Sequence, residues 1–174
     1  MEAGTRIELT PVPKTMFREF ETHQHHPRVT SQRVSVTNYQ DFQYYGNVLF
    51  GSNQQAMKVI FDPGSTTCWL PTTDCPTDQC TGSRFNWETT STFSNTSVAG
   101  QEAYVAGTIS GFFTEDHVCV SQGSCSDKSF KFLSAKSASG QLNLIKADGV
   151  CGLAPQMVTS DTNLVHKIRE NNGI

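Results

Sequence analysis

Asp62 ends a short apolar run and is followed at once by Pro63, Gly64 and Ser65, in the stretch MKVIFDPGSTTCWLP at residues 57–71. A carboxylate presented in this way can serve as an acid–base catalyst, provided the turn aims it at a substrate. Gly64 permits a tight turn, Ser65 supplies a hydroxyl that can hydrogen-bond the carboxylate, and CWL leaves as another strand. The plainer reading is an ordinary surface turn, because Asp, Pro and Gly favour one on their own. A second group of possible ligands, His23, His25 and His26 in HQHH, lies in a polar stretch broken by Pro11, Pro13 and Pro27. Without a fixed scaffold it reads as a solvated segment rather than a metal site, and no metal or other cofactor is expected.

The elements that must position Asp62 begin near Tyr39, where the texture changes to short apolar runs separated by turn residues, the pattern of a mainly β fold. YYGNVLFG, MKVIFD, CWLP, AYVAGTISGFF, HVCV and SFKFL read as strands. Alternation in MKVIFD places Met57, Val59 and Phe61 on one face, and Lys58, Ile60 and Asp62 on the other. Gly107 and Gly111 flank Thr108 to Ser110 and predict a bent hairpin able to hinge. In SDTNLVHKIRENNGI, capping residues at 160–163, apolar Leu164, Val165 and Ile168, and Gly173 as a stop predict one short amphipathic helix.

The 174 residues suit one domain, with residues 1–37 forming a polar, partly disordered segment ahead of it. Thirteen Lys and Arg against sixteen Asp and Glu give a net charge of −3 with no basic stripe, so charge favours neither nucleic acid nor an anionic membrane as partner. No apolar run is long enough to span a bilayer, and the first thirty residues lack the apolar core of a secretory signal. Six cysteines, two close pairs among them, point to disulfides in an oxidising compartment. Zinc is the weaker alternative, since CPTDQC and CVSQGSC leave four and five residues between the cysteines, wider than most zinc knuckles. The sequon at Asn95, in what reads as a polar loop, agrees with a secretory route.

Taken in order, VTNYQDFQYYGNVLFG, VIFDPGSTTCWLP, DCPTDQC, RFNWETTSTFS, YVAGTISGFFTEDHV and DGVCGLAP resemble the amino-terminal lobe of the pepsin and cathepsin D family over residues 36 to 174. TRIELTPVPKT resembles, more loosely, the start of that family's inhibitory prosegment. The resemblance implies a single lobe of the acid-protease β-barrel fold, incomplete over residues 38–174, in a secreted, lysosomal or vacuolar protein. It implies an aspartic endopeptidase acting on peptides or proteins, in which two aspartates share a proton because adjacent carboxylates cannot both ionise cheaply. Asp62 would be the first of that pair, with Ser65 beside it. Tyr104, near Gly107 and Thr108, would be the tyrosine of a flap closing over substrate, with Trp69 packed behind it. The resemblance also implies bridges Cys75–Cys80, Cys119–Cys125 and Cys68–Cys151.

The sequence departs from the family pattern in three ways. Pro63 replaces the threonine of Asp-Thr-Gly-Ser, whose N–H and hydroxyl would tie two catalytic loops together; proline offers neither group. Val105 stands beside the flap tyrosine where glycine is usual, and a β-branched residue there should stiffen the tip. No second Asp-Thr-Gly or Asp-Ser-Gly turn follows, so a missing carboxy-terminal lobe is expected and this chain by itself is expected to be inactive. A non-catalytic module that binds extended peptides by strand addition is the alternative.

Overall fold

The computed structural model describes residues 7–11, 32–39, 43–142, 145–154 and 163–172. Eleven strands occupy them: β1 Ile7–Pro11, β2 Gln32–Tyr39, β3 Gln43–Phe50, β4 Gln55–Asp62, β5 Trp69–Pro71, β6 Ser94–Tyr104, β7 Gly107–Asp116, β8 Val118–Ser121, β9 Ser124–Cys125, β10 Phe130–Ala138 and β11 Gly149–Gly152. One α-helix, α1 Leu164–Asn171, follows them. The fold is mainly β with one short helix after the strands, the class read from the sequence. His23, His25, His26 and Gly173 lie outside the described residues. Among the described residues no helix is long and apolar enough to cross a membrane.

The alternation read in β4 is realised: Met57, Val59 and Phe61 are buried, while Lys58 is exposed and Ile60 and Asp62 are half-buried. These side chains join Val48, Phe50, Phe85 and Phe132 in the larger of two apolar clusters. Phe50 and Phe132 meet edge to face at 5.3 Å, the arrangement that the ring quadrupole favours. Asn163 caps α1 through its side chain, which accepts from His166 N at 3.0 Å, and Leu164 and Ile168 enter the same cluster.

Strand order runs β1-β2-β3-β4-β11-β5-β10-β7-β6, with β8 and β9 as a hairpin on β3. The order matters at one place. β11, far along the chain, inserts between β4 and β5, parallel to β4 with Gly152 opposite Asp62, and antiparallel to β5 with Val150 opposite Trp69. The link from β4 to β5 therefore has to pass the end of β11. It passes so closely that a Cβ on Gly152 would lie 2.6 Å from Ser65 O, which is why this strand ends in glycine.

Two local expectations are corrected. Gly107 and Gly111 do not flank a hinge: β7 is continuous through both, paired with β6 on one side and β10 on the other. A Cβ on Gly111 would lie 1.9 Å from Ser134 O, and one on Gly107 would lie 2.0 Å from Ser139 O. Both glycines serve close backbone approach. Asn95 lies in strand β6, opposite Thr114, rather than in a loop. The hairpin's turn is Val105–Ala106, with Val105 fully exposed at the tip.

Candidate functional site

Asp62 emerges at the C-terminal end of β4 with its carboxylate half-exposed. Pro63 and Gly64 form the turn and are exposed, and Gly64 N donates to Asp62 Oδ1 at 2.9 Å. The carboxylate is thus oriented by the backbone two residues on. Three further hydrogen bonds fix the turn: Leu153 N to Asp62 O at 2.8 Å, Ala154 N to Ser65 O at 2.9 Å, and Gly152 N to Thr67 O at 3.2 Å. The Cys68–Cys151 disulfide closes the crossing between β5 and β11.

Ser65 behaves differently from the expectation. Its hydroxyl is buried and, among the described residues, makes no hydrogen bond to the Asp62 carboxylate. A backbone N–H fills the place expected of the serine.

Above the turn lies the hairpin. Trp69 is buried, and its Nε1 donates to Tyr104 Oη at 2.9 Å, with ring centroids 6.4 Å apart. Burial raises the Tyr104 pKa above its ordinary value, and the charges of Glu102 and Asp62 push the same way; the Trp69 hydrogen bond and the nearby Ser65 hydroxyl oppose them. Asp62, Ser65, Trp69 and Tyr104 thus share one neighbourhood. Gly107 and Thr108 begin the return strand, where Ser139 N donates to Thr108 O at 2.9 Å and Gln141 N donates to Ala106 O at 2.6 Å. The hairpin tip is clasped by residues 139–141. Beneath it, Trp69, Ile109, Leu133, Leu142 and Val150 form the second apolar cluster, with Ile60 and Tyr104 packed against it. Part of this cluster lines a shallow hollow beside Trp69.

The family model described as eukaryotic aspartyl protease matches residues 43–171, from the start of β3 through α1. The chain belongs to that family. Pepsin II-2/3 of Oryctolagus cuniculus is 34% identical over 168 residues, which are 95% of this chain and 42% of the relative. Gastricsin of Callithrix jacchus is 33% identical over 156 residues, 85% of this chain and 40% of the relative. Cathepsin D of Dictyostelium discoideum is 32% identical over 130 residues, 72% of this chain and 33% of the relative. The chain spans less than half the length of these curated relatives.

Within the aspartyl protease frame, all three disulfides implied by the family resemblance are present: Cys68–Cys151, Cys75–Cys80 and Cys119–Cys125. With Cys119 bonded to Cys125 and His117 Nε2 3.8 Å from the Cys119 sulfur, this trio is a bridge beside an imidazole rather than three free ligands. Asp148 takes a structural place, accepting from Lys58 N at 2.8 Å and Ser83 N at 2.7 Å. Sequence reading missed the floor under Tyr104. Leu142 and Val150 lie in separate short runs, and only a shared hydrophobic character marks them.

Proposed function

We propose that this chain supplies the first-aspartate half of an aspartic endopeptidase site, in a protein of the secretory route that acts on extended peptides. Asp62 is one carboxylate of a proton-sharing pair: ionised, it takes a proton from a water, and a second, protonated carboxyl from a partner lobe donates to the scissile carbonyl. Tyr104 is the lid residue, held in place by Trp69. The observation that carries this reading is Asp62 at a backbone-oriented turn in the same neighbourhood as the Tyr104 hydroxyl. On this reading residues 1–37 act as a prosegment-like arm, and β1, which pairs with β2, belongs to it. One carboxylate cannot share its proton with itself, so the chain alone binds peptide without cutting it.

A second reading, a peptide-holding module without catalysis, is favoured by Pro63, which removes the N–H and hydroxyl that a threonine would offer to a partner loop. Peptide cleavage at acid pH by the protein containing this segment, with and without pepstatin, separates the two. Cleavage blocked by pepstatin and abolished by Asp62→Ala supports catalysis. Peptide binding without cleavage supports the module, and cleavage that survives Asp62→Ala excludes aspartic catalysis.

A further inference from the structure

We propose that Asn95 carries an N-linked glycan whose first sugar seats in an aromatic hollow already built into the sheet. The hollow, about 370 Å³ counting its open mouth, lies apart from the Asp62 turn. Asn95 is itself part of its wall, together with Trp87, Phe93 and Phe112. Phe93, two residues before Asn95 and just ahead of β6, lines the same wall. Trp87 and Phe93 stack on each other at 5.4 Å with 28° between their planes, an aromatic pair next to the asparagine.

The backbone around the sequon suits modification. A bulge interrupts pairing between Asn95 and Val98, and Ser97 adopts φ 60° within it. Ser97 N donates to Asn95 Oδ1 at 2.8 Å, which occupies the amide oxygen and leaves the nitrogen, the atom that bears a sugar, with no hydrogen bond among the described residues. Asn95 and Ser97 are both exposed. In the transfer, Asn95 Nδ2 attacks the anomeric carbon of a lipid-pyrophosphate-linked oligosaccharide. The N–C bond forms, the C–O bond to pyrophosphate breaks, and one amide proton is released with the lipid pyrophosphate.

Once attached, the sugar meets a surface particular to this fold. A pyranose presents a face of C–H groups that packs on the negative face of an aromatic ring, and a rim of hydroxyls. The part of the Trp87–Phe93 stack left uncovered at the hollow offers a partner for the C–H face. The Asp74–Lys136 ion pair at 3.0 Å on the rim offers partners for the hydroxyls, while Thr114 and Ser134, buried and hydrogen-bonded to each other at 2.7 Å, close the floor. An unglycosylated chain leaves this apolar wall facing water. The sugar covers it, and the chain gains stability from area removed from water.

The proposal is independent of whether Asp62 is catalytic, and it is tested on the full chain secreted from a eukaryotic host that makes high-mannose glycans. Peptide mapping by mass spectrometry is expected to find the glycan on Asn95. Trimming to a single N-acetylglucosamine is expected to leave Tm about 2–4 °C above that of Asn95→Gln, the shift that roughly one kcal/mol gives a domain of this size. The same single sugar should reduce acrylamide quenching of Trp87, and its Tm advantage should vanish in a Phe93→Leu background. If Phe93→Leu does not fold, the quenching measurement on the native sequence decides. An unmodified Asn95, or a single sugar that changes neither Tm nor quenching, overturns the proposal, as does an advantage that persists without Phe93.

Discussion

The turn that carries Asp62 and the hairpin that carries Tyr104 face each other but are held in opposite ways. The turn is fixed from several directions: three backbone hydrogen bonds from β11 and the residues after it, a disulfide at its end, and contact so close that Gly152 has no room for a Cβ. The hairpin is supported on one side only. β7 pairs with β10, but among the described residues no further strand lies beside β6, which is mostly exposed, and the tip is tied by Trp69 and by residues 139–141. On the proposed reading, an acid that has to keep its geometry sits where the backbone is over-determined, and the hairpin that would close over a peptide sits where few bonds have to break.

This contrast can be broken most severely at the turn. Replacing Cys68 and Cys151 by Ser opens a bridge with a sequence separation of 83, and the chain-entropy estimate is a loss of about 4–5 kcal/mol. The same change at Cys75 and Cys80, separated by only 5, should cost about 2 kcal/mol. Urea unfolding of the two variants gives the comparison; equal losses would mean that the crossing of β11 is not what the bridge protects. Next in size is Gly111→Ala, whose Cβ has to displace Ser134 O, at a cost of roughly 1–3 kcal/mol. Because that contact joins β7 to β10, hydrogen exchange should accelerate through both strands. A silent substitution would restore the hinge reading.

Smaller effects sharpen the lid. Trp69→Phe removes the donor to Tyr104 and the second ring of a buried indole, so a loss of roughly 1–3 kcal/mol is expected, with the largest rise in amide exchange at 104–108. The smallest effect is the titration of Tyr104. Its folded pKa lies above the ordinary 10.0, chiefly through burial, so the folded protein keeps the phenol proton longer than the unfolded chain. The resulting stability is complete below pH 10.0 and is lost as pH rises through the raised folded value. Tyrosinate absorbance should show one late-titrating phenol, and Asp62→Asn should bring it down, since the Asp62 charge is one of the causes.

Local pattern carries much of the fold. β4 is legible because period-two alternation and a half-exposed last residue survive in sequence, and α1 because its apolar residues recur at helical spacing behind a capping asparagine. The illegible part is non-local. Nothing within GVCG says that it will lie between β4 and β5, and the Cys68–Cys151 pairing comes only from the family resemblance. A glycine that permits a bend and one that permits a strand to approach look identical in sequence, so Gly111 reads as a hinge unless Ser134 O is known to lie beside it. Asn95 reads as a loop residue because an edge strand with an exposed face shows no burial pattern. The site divides in the same way. Asp62 and its turn are readable, whereas the identity of the group that orients the carboxylate depends on which of two neighbours, Gly64 N or Ser65 Oγ, comes within reach.

If Asp62 is a working carboxylate beneath the Tyr104 lid, removing its charge must remove the chemistry. The most direct test is kcat/KM for peptide cleavage at acid pH by the protein containing this segment, native against Asp62→Asn, a change that keeps size and turn geometry. A fall of roughly 10²–10⁴-fold or more is the predicted result, the scale of a lost general acid–base group. A native protein that cleaves peptide and an Asp62→Asn variant within a few-fold of it would contradict that role.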